Sequence, residues 1–192
     1  MNLLDLVKKT RSYRKFDESK TVERKTLEEL IDLARQSASA RNLQPLKYYI
    51  SNTPTTNDIV FNHIAWAGYL KDGAPKIGER PTAYIIMLVD HTLTQSSPEW
   101  DEGIAAQTIM LGAREKDLGG CIIGAIKKQG LSEALSLPKH LEIALVLAIG
   151  VPTEDVRLEQ LTDNGDIKYY RDEQQIHHVP KRSLHDIIIN NQ

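Results

Sequence analysis

Residues 102–124 read EGIAAQTIMLGAREKDLGGCIIG, and the fold follows from what this stretch requires of its surroundings. Only Gln107 and Thr108 interrupt the apolar run from Ile104 to Ala113. A helix that is apolar on nearly every face is buried on nearly every face, so a central helix is predicted here. In a chain this small, a second subunit is expected to supply part of its cover. At Leu118 the pattern changes. Gly119-Gly120-Cys121-Ile122-Ile123-Gly124 reads as a helix stop followed by a short buried strand. The same residues keep side chains small, so that a flat ring could approach a main-chain N–H closely. Both readings stand at this point.

Working outward, Leu27, Leu30, Ile31 and Ala34 fall at i, i+3, i+4 and i+7, the apolar face of a second helix. Thr26 with Glu29 offers a capping box at its start. Residues 47–51 (KYYIS) follow Pro45 and are aromatic and β-branched, which predicts a strand. Residues 84–89 (YIIMLV) and 143–149 (IALVLAI) read as fully buried strands. From Thr153 to Glu173 the sequence turns polar and acidic, with a turn at Asn164-Gly165, and predicts a surface excursion. Ser183 is placed to cap a terminal helix over 184–189. Helices and strands are mixed within one unit, giving a single α+β domain over residues 1–192.

Composition narrows the function. With 192 residues, 41% of them hydrophobic, the chain can close one core. Its 24 basic and 26 acidic residues leave a formal charge of −2, so no overall positive field would hold a nucleic acid or an anionic membrane. Any anion site must be local. The longest wholly apolar run, 143–149, is far below the ~20 residues of a spanning helix. Asp5 interrupts the apolar start and no basic leader precedes it, so no export signal is read. One cysteine, Cys121, allows neither an internal disulfide nor a cysteine-based zinc cage, and a cytoplasmic protein is expected. No H-E-x-x-H and no G-x-S-x-G occurs, and no metal site is predicted. His177 and His178 are neighbours, hence on opposite faces of any strand, and packing or surface roles are expected for all six histidines. No G-x-G-x-x-G marks a nicotinamide dinucleotide site. Gly73 to Gly78 matches half of a P-loop, but Glu79-Arg80 follow where a lysine and a hydroxyl are needed.

Two short runs carry chemistry. Arg11-Ser12-Tyr13-Arg14 presents two guanidinium groups and a hydroxyl close together, a donor set suited to a phosphate. Ser39-Ala40-Arg41-Asn42-Leu43-Gln44-Pro45 packs a hydroxyl and two carboxamides into a loop, suited to a ligand edge that both donates and accepts hydrogen bonds. A solvated basic face and an ordinary polar turn are the plain alternatives.

In this order and spacing, R-S-x-R, S-x-x-N-x-Q-P and the G-G-C-x-I-G turn resemble the FMN-dependent nitroreductase family. The likeness extends through Trp100 to Leu118, residues 143–152 (IALVLAIGVP) and Pro180-Lys181-Arg182, which is nearly the whole chain. The resemblance implies an α+β sandwich, with a mainly antiparallel sheet flanked by helices and two FMN sites at a homodimer interface. It would start the helix of Leu27 to Ala34 a few residues before Thr26. It implies that Arg11 and Ser12 hold the phosphate and ribityl end, with Lys181 and Arg182 arriving from the C-terminal segment. Arg14 would lie at the pyrimidine edge and tune the flavin potential. Ser39, Asn42 and Gln44 would contact the ring or ribityl chain, some of them from the partner subunit. The backbone of Ile123 or Gly124 would face flavin N5. NADH or NADPH would reduce the flavin, and small electron-poor organic molecules would reoxidise it from the same slot in ping-pong fashion, with no protein acid or base required. A dehalogenase or flavin-fragmenting enzyme of the same fold, a non-enzymatic flavin carrier or redox sensor, and a relative that has lost flavin are the competing readings. The chain departs from the family at Thr10, where many members have arginine, and at Leu46, where many have tryptophan. Cys121 is expected to be buried for packing, and Trp66 and Tyr69 are read equally as pocket aromatics or core.

Overall fold

The computed structural model describes residues 2–70, 72–162 and 165–190. Strands β1 (Leu46–Ser51), β2 (Ala83–Asp90), β3 (Gly119–Ile123) and β4 (Leu141–Gly150) form one sheet in the order β1-β2-β4-β3. All three pairings are antiparallel. Each strand contains its predicted segment and runs one to three residues longer in total.

Every residue of β2 is buried because helices cover both faces of the sheet. Alternation divides its side chains. Ile85 and Met87 meet Leu27 and Leu30 of α2 (Arg24–Arg35) and Ile109 and Ala113 of α4 (Glu99–Glu115). Tyr84, Ile86 and Leu88 meet Val60 of α3 (Pro54–Asn62) and Leu131 of α5 (Lys128–Ala134). An antiparallel strand covered on one side would alternate polar and apolar residues. Cover on two sides explains the unbroken YIIMLV.

Helix α2 starts at Arg24 with Glu23 as its N-cap, so Thr26 and Glu29 lie inside it and form no capping box there. The earlier start implied by the resemblance is the observed one. Helix α4 buries Ala105, Ala106, Ile109, Met110 and Ala113, as its composition requires. Gly112 lets α2 close on it, since a Cβ there would meet Leu33 Cδ1 at 2.5 Å. The cover is incomplete within one chain, however, with Trp100 81% and Ile104 41% exposed. Helix α1 (Leu3–Lys9) buries nothing and leaves Leu3, Leu4 and Val7 exposed beside it.

The region read as a surface excursion is a second sheet. β5 (Val156–Gln160), β6 (Tyr170–Arg171) and β7 (His177–Lys181) pair in the order β5-β7-β6, with β5 and β7 parallel. These strands are short and half-exposed, so they lack the apolar periodicity that marks a strand in sequence. Asn164 of the expected turn lies outside the described residues, while Gly165 has φ +69°. Ser183 caps α6 (Leu184–Ile187) in a reciprocal box with Asp186, and the helix stops two residues short of its predicted end.

Candidate functional site

Helix α1 ends where Thr10 returns both its backbone N–H (2.9 Å) and its hydroxyl (2.7 Å) to the Leu6 carbonyl. Thr10 is thus spent on the helix end. The chain then runs extended along β3: Ser12 bridges Gly120, and the Tyr13 N–H donates to the Gly120 carbonyl at 2.9 Å. A Cβ on Gly120 would strike the Ala148 carbonyl, and one on Gly119 would meet Tyr13 Cδ2 at 2.6 Å. Gly119 thus makes room for the Tyr13 ring of the R-S-x-R run, and Gly120 for the close approach of β4 and Met110. At Gly124 a Cβ would meet only Leu145 Cδ2 at 3.9 Å, so the third glycine is the one with open space before it.

Thr10, Arg11, Ser12, Gln107, Met110, Gly120 and Ile122 line a pocket of about 160 Å³ at this seam. Arg11 donates through Nη2 to the Val7 carbonyl at 2.9 Å, while its buried Nε has no hydrogen-bond partner. Burial pushes the Arg11 guanidinium below its ordinary value. Arg14 lies just behind the pocket, not in its lining. Its Nη1 donates to the Ser12 carbonyl at 3.2 Å and its Nε too is buried without a partner. Arg14 is only 8% exposed, yet neither it nor Arg11 appears in any ion pair among the described residues. A buried cation lacking a carboxylate is an electrostatic demand for an anion.

Strand β3 is the edge of its sheet and lends its outer side to this pocket. Because Gly120 turns its carbonyl out to Tyr13, alternation turns the backbone of Cys121 and Ile123 inward to β4 and that of Ile122 outward. The Ile123 backbone therefore faces Val146 of β4, while Gly124 lies just past the strand end. Cys121 is buried as expected, and burial pushes its thiol up. The sulfur behaves as a small packing group.

The Ser39 loop is built on α4. Ser39 Oγ donates to Asp101 Oδ2 at 2.5 Å and accepts from the Gln44 N–H at 2.9 Å, and the Ala40 N–H donates to Asp101 Oδ1 at 2.9 Å. Gln44 Nε2 donates to the Asn42 carbonyl at 3.1 Å. Within one chain the Ser39 hydroxyl is a loop staple, with one lone pair left for a ligand. Arg41, Asn42 and Gln44 all take positive φ (52°, 57° and 51°), a conformation costly for residues with a Cβ, and the staple holds it. Around α4, Asp101 is separated from Gln107 by about 120° and from Met110 by about 180°, at 3.6 residues per turn. The two sequence-derived clusters therefore occupy different sides of one helix.

Lys181 and Arg182 are exposed at the far end of β7, and the structure does not bring them into the pocket lining. Trp66 packs against the α3–α5 layer with its indole N–H buried and unpartnered, while Tyr69 is 54% exposed and tilts onto Tyr169 at 5.0 Å. His177 and His178 face opposite ways as predicted. His178 is held by Glu159 and Asp172, each at 3.0 Å.

Sequence reading missed what stands behind Arg14. The Glu154 carboxylate, almost fully buried, accepts the Arg14 backbone N–H at 2.9 Å and pairs with Arg171 at 2.5 Å. Burial works to raise its pKa, but the adjacent His177 ring, the Arg14 backbone N–H and the Arg171 guanidinium outweigh that and hold it down to about 2. His177 Nδ1 lies 3.3 Å from Glu154 Oε1 at a poor angle, so the contact is best described as electrostatic. The Tyr169 ring lies 4.8 Å under the Arg14 guanidinium and 5.4 Å edge-on to His177. The only advance signal was the i, i+2 spacing of Tyr169 and Arg171, which would put both on one side of an extended chain.

An antiparallel sheet wrapped by helices on both faces defines an α+β protein, with the Arg11 and Arg14 guanidinium groups left without a carboxylate partner beside its β3 edge. The sequence model of the Nitroreductase family matches residues 7–151, and the chain belongs to that family. It is 25% identical over 169 residues to a protein of Methanothermobacter thermautotrophicus named as an NADH dehydrogenase/NAD(P)H nitroreductase, covering 85% of this chain and 84% of that one. The fold is similar to that of a nitroreductase in complex with FMN from Desulfovibrio desulfuricans (TM-score 0.73, 20% identity, 100% and 98% of the two chains). It is also similar to an FMN-dependent nitroreductase from Clostridium difficile R20291 (TM-score 0.68, 19% identity, 99% of each chain). Among the described residues no helix is long and apolar enough to cross a membrane, and no three metal-ligating side chains cluster.

Proposed function

We propose that the chain is an FMN-dependent NAD(P)H oxidoreductase that reduces small electron-poor organic molecules, such as nitroaromatics or quinones, and that it acts as a homodimer. The observation that carries this reading is the pair of guanidinium groups, Arg11 and Arg14, that have no carboxylate partner beside the open edge of β3. The donor chemistry fits FMN. Arg11 and Ser12 would hold its phosphate, Arg14 would favour negative charge on the reduced ring, and the backbone at Gly124 would approach the ring where space is open. When bound, FMN supplies two-electron chemistry, taking hydride from a nicotinamide and passing it to the substrate.

The same geometry supports the proposed dimer. A pocket of about 160 Å³ is smaller than the ~300–1,000 Å³ of a complete small-molecule site. Ser39, Asn42 and Gln44 lie on another side of α4 and are proposed to reach the flavin of the partner copy. Exposed Trp100, Ile104, Leu3 and Leu4 supply an apolar surface for that contact. Lys181 and Arg182, exposed and without ion pairs among the described residues, are proposed to join the phosphate once it is bound. With no dinucleotide fingerprint in the chain, NAD(P)H and substrate are assigned the same slot in turn, giving ping-pong turnover.

The test is direct. Purified protein is expected to bind FMN, and NADH or NADPH should bleach it anaerobically. Arg11→Ala should weaken FMN binding about tenfold or more, since a charge-assisted contact is worth ~1.5–3 kcal/mol. Recovery of FAD instead of FMN, or unchanged FMN affinity in Arg11→Ala, would overturn the assignment.

A further inference from the structure

The residues matched by the family model end at 151, yet the side chains that hold Arg14 lie beyond them. Two grips converge on this arginine. Glu154 takes its backbone N–H, and Arg171 fixes Glu154 in turn through Nε (3.0 Å) and Nη2 (2.5 Å). Tyr169 takes the guanidinium on its ring face at 4.8 Å. Tyr169, the residue just before β6, and Arg171 within it both reach this side through their contacts with Arg14 and Glu154, while Tyr170 between them points away and stacks on His178 at 4.8 Å. Tyr169 is itself braced by Tyr69 at 5.0 Å and by the edge of His177 at 5.4 Å.

We infer that Tyr169 is a positioning residue for the reaction: the second sheet exists in part to hold the Arg14 guanidinium, through this ring, where it sets the flavin reduction potential. The inference rests on the assignment of Arg14 to the reduced flavin made above. The physical argument is one of satisfied and unsatisfied donors. A long cationic side chain with a buried, unpartnered Nε and no carboxylate would ordinarily swing to find an acceptor. A ring face attracts a guanidinium without neutralising it, as a carboxylate would. Tyr169 therefore fixes the charge while leaving its field available to a ligand. A carboxylate there would fix it equally well and cancel it. Glu154 meets this requirement by binding the backbone of Arg14 and spending its charge on Arg171.

The experiment compares FMN-loaded wild type, Arg14→Ala, Tyr169→Leu and Tyr169→Phe by anaerobic titration against a reference dye, with FMN affinity measured alongside. Arg14→Ala should lower the potential. Tyr169→Leu should lower it in the same sense but less, by about a fivefold change in the preference for reduced over oxidised FMN, roughly 20 mV at ~30 mV per tenfold for a two-electron couple. Tyr169→Phe keeps the ring face and should keep the wild-type potential, which a role for the hydroxyl would not predict, while Tyr169→Met, bulky but ringless, should shift it as Leu does, which a role in bulk packing would not predict. If Tyr169→Leu fails to hold FMN, Tyr169→Met refills the volume without a ring and carries the same comparison. A shift in Arg14→Ala with none in the ringless variants overturns the role of Tyr169. No shift in Arg14→Ala overturns the assignment of Arg14 beneath it, and the two failures are thereby distinct.

Discussion

The two sheets are held together by opposite means. In β2 no side chain is more than 7% exposed, and the strand is apolar from Ala83 to Val89. Such burial is worth about 25 cal/mol per Å² and does not depend on pH. In the β5-β7-β6 sheet only His177 is buried, and the contacts that fix it are ionic: Glu154 with Arg171, and His178 between Glu159 and Asp172. One sheet is a hydrophobic core, the other a charged brace against it. Their stabilities should therefore separate, and the brace alone should respond to pH.

The largest expected effect is at Glu154. Glu154→Ala leaves the Arg171 guanidinium and the Arg14 N–H buried and unpaired, and breaking a buried pair costs about 3–5 kcal/mol. Hydrogen exchange should show β5, β6 and β7 losing protection while β2 and β4 keep theirs. Equal loss in both sheets would break the comparison. Ile85→Ala supplies the converse, an expected ~2–5 kcal/mol from a cavity in the α2–α4 layer, lowering protection throughout.

The pH dependence is smaller and its sign is fixed by the shifts. Glu154 is held at about 2 from an ordinary 4.5, so its contribution is present above 4.5 and lost as pH falls through about 2. For His178 the bond to Asp172 raises the pKa above 6.5, aided by Glu159 against the opposing effect of burial. That contribution is complete below 6.5 and lost as pH rises through the folded value. Protection of the second sheet should thus be greatest between about pH 4.5 and 6.5 and fall on either side of that range, while the β2 profile stays flat through it and beyond. A flat profile for both sheets would contradict the ionic account. The smallest effect is at Cys121: Cys121→Ala should cost about 1 kcal/mol and leave FMN binding intact, measured by denaturant unfolding and flavin titration.

What was legible in the sequence follows the same division. The central strands β2 and β4 and the centre of α4 could be read because two-sided burial writes unbroken apolar runs, while β1 was legible from its aromatic and β-branched residues after Pro45 and β3 from the glycine stop at its start. R-S-x-R stood out because guanidinium pairs suit a phosphate, and in the structure Arg11 and Ser12 line one pocket beside β3. The second sheet could not be read, since ionic contacts leave no periodicity in VRLEQ or HHVPK. For the same reason Glu154 looked like one acid among many. The choice between Ile123 and Gly124 depended on which edge of β3 was open, and the direction of the Gly120 carbonyl decides that only in three dimensions. Ser39 looked like a free hydroxyl because Asp101, its partner, lies far along the chain.

The central claim is that Arg11, Ser12 and Arg14 of one copy form an FMN site completed by the Ser39–Gln44 loop of another. Sedimentation velocity of the FMN-loaded protein, followed at the flavin absorbance, tests it most directly. The account predicts that all bound flavin sediments with a species of twice the chain mass, and that dilution releases flavin as the dimer dissociates. Flavin bound stably to a single chain, or a dimer that takes up no FMN, would contradict it.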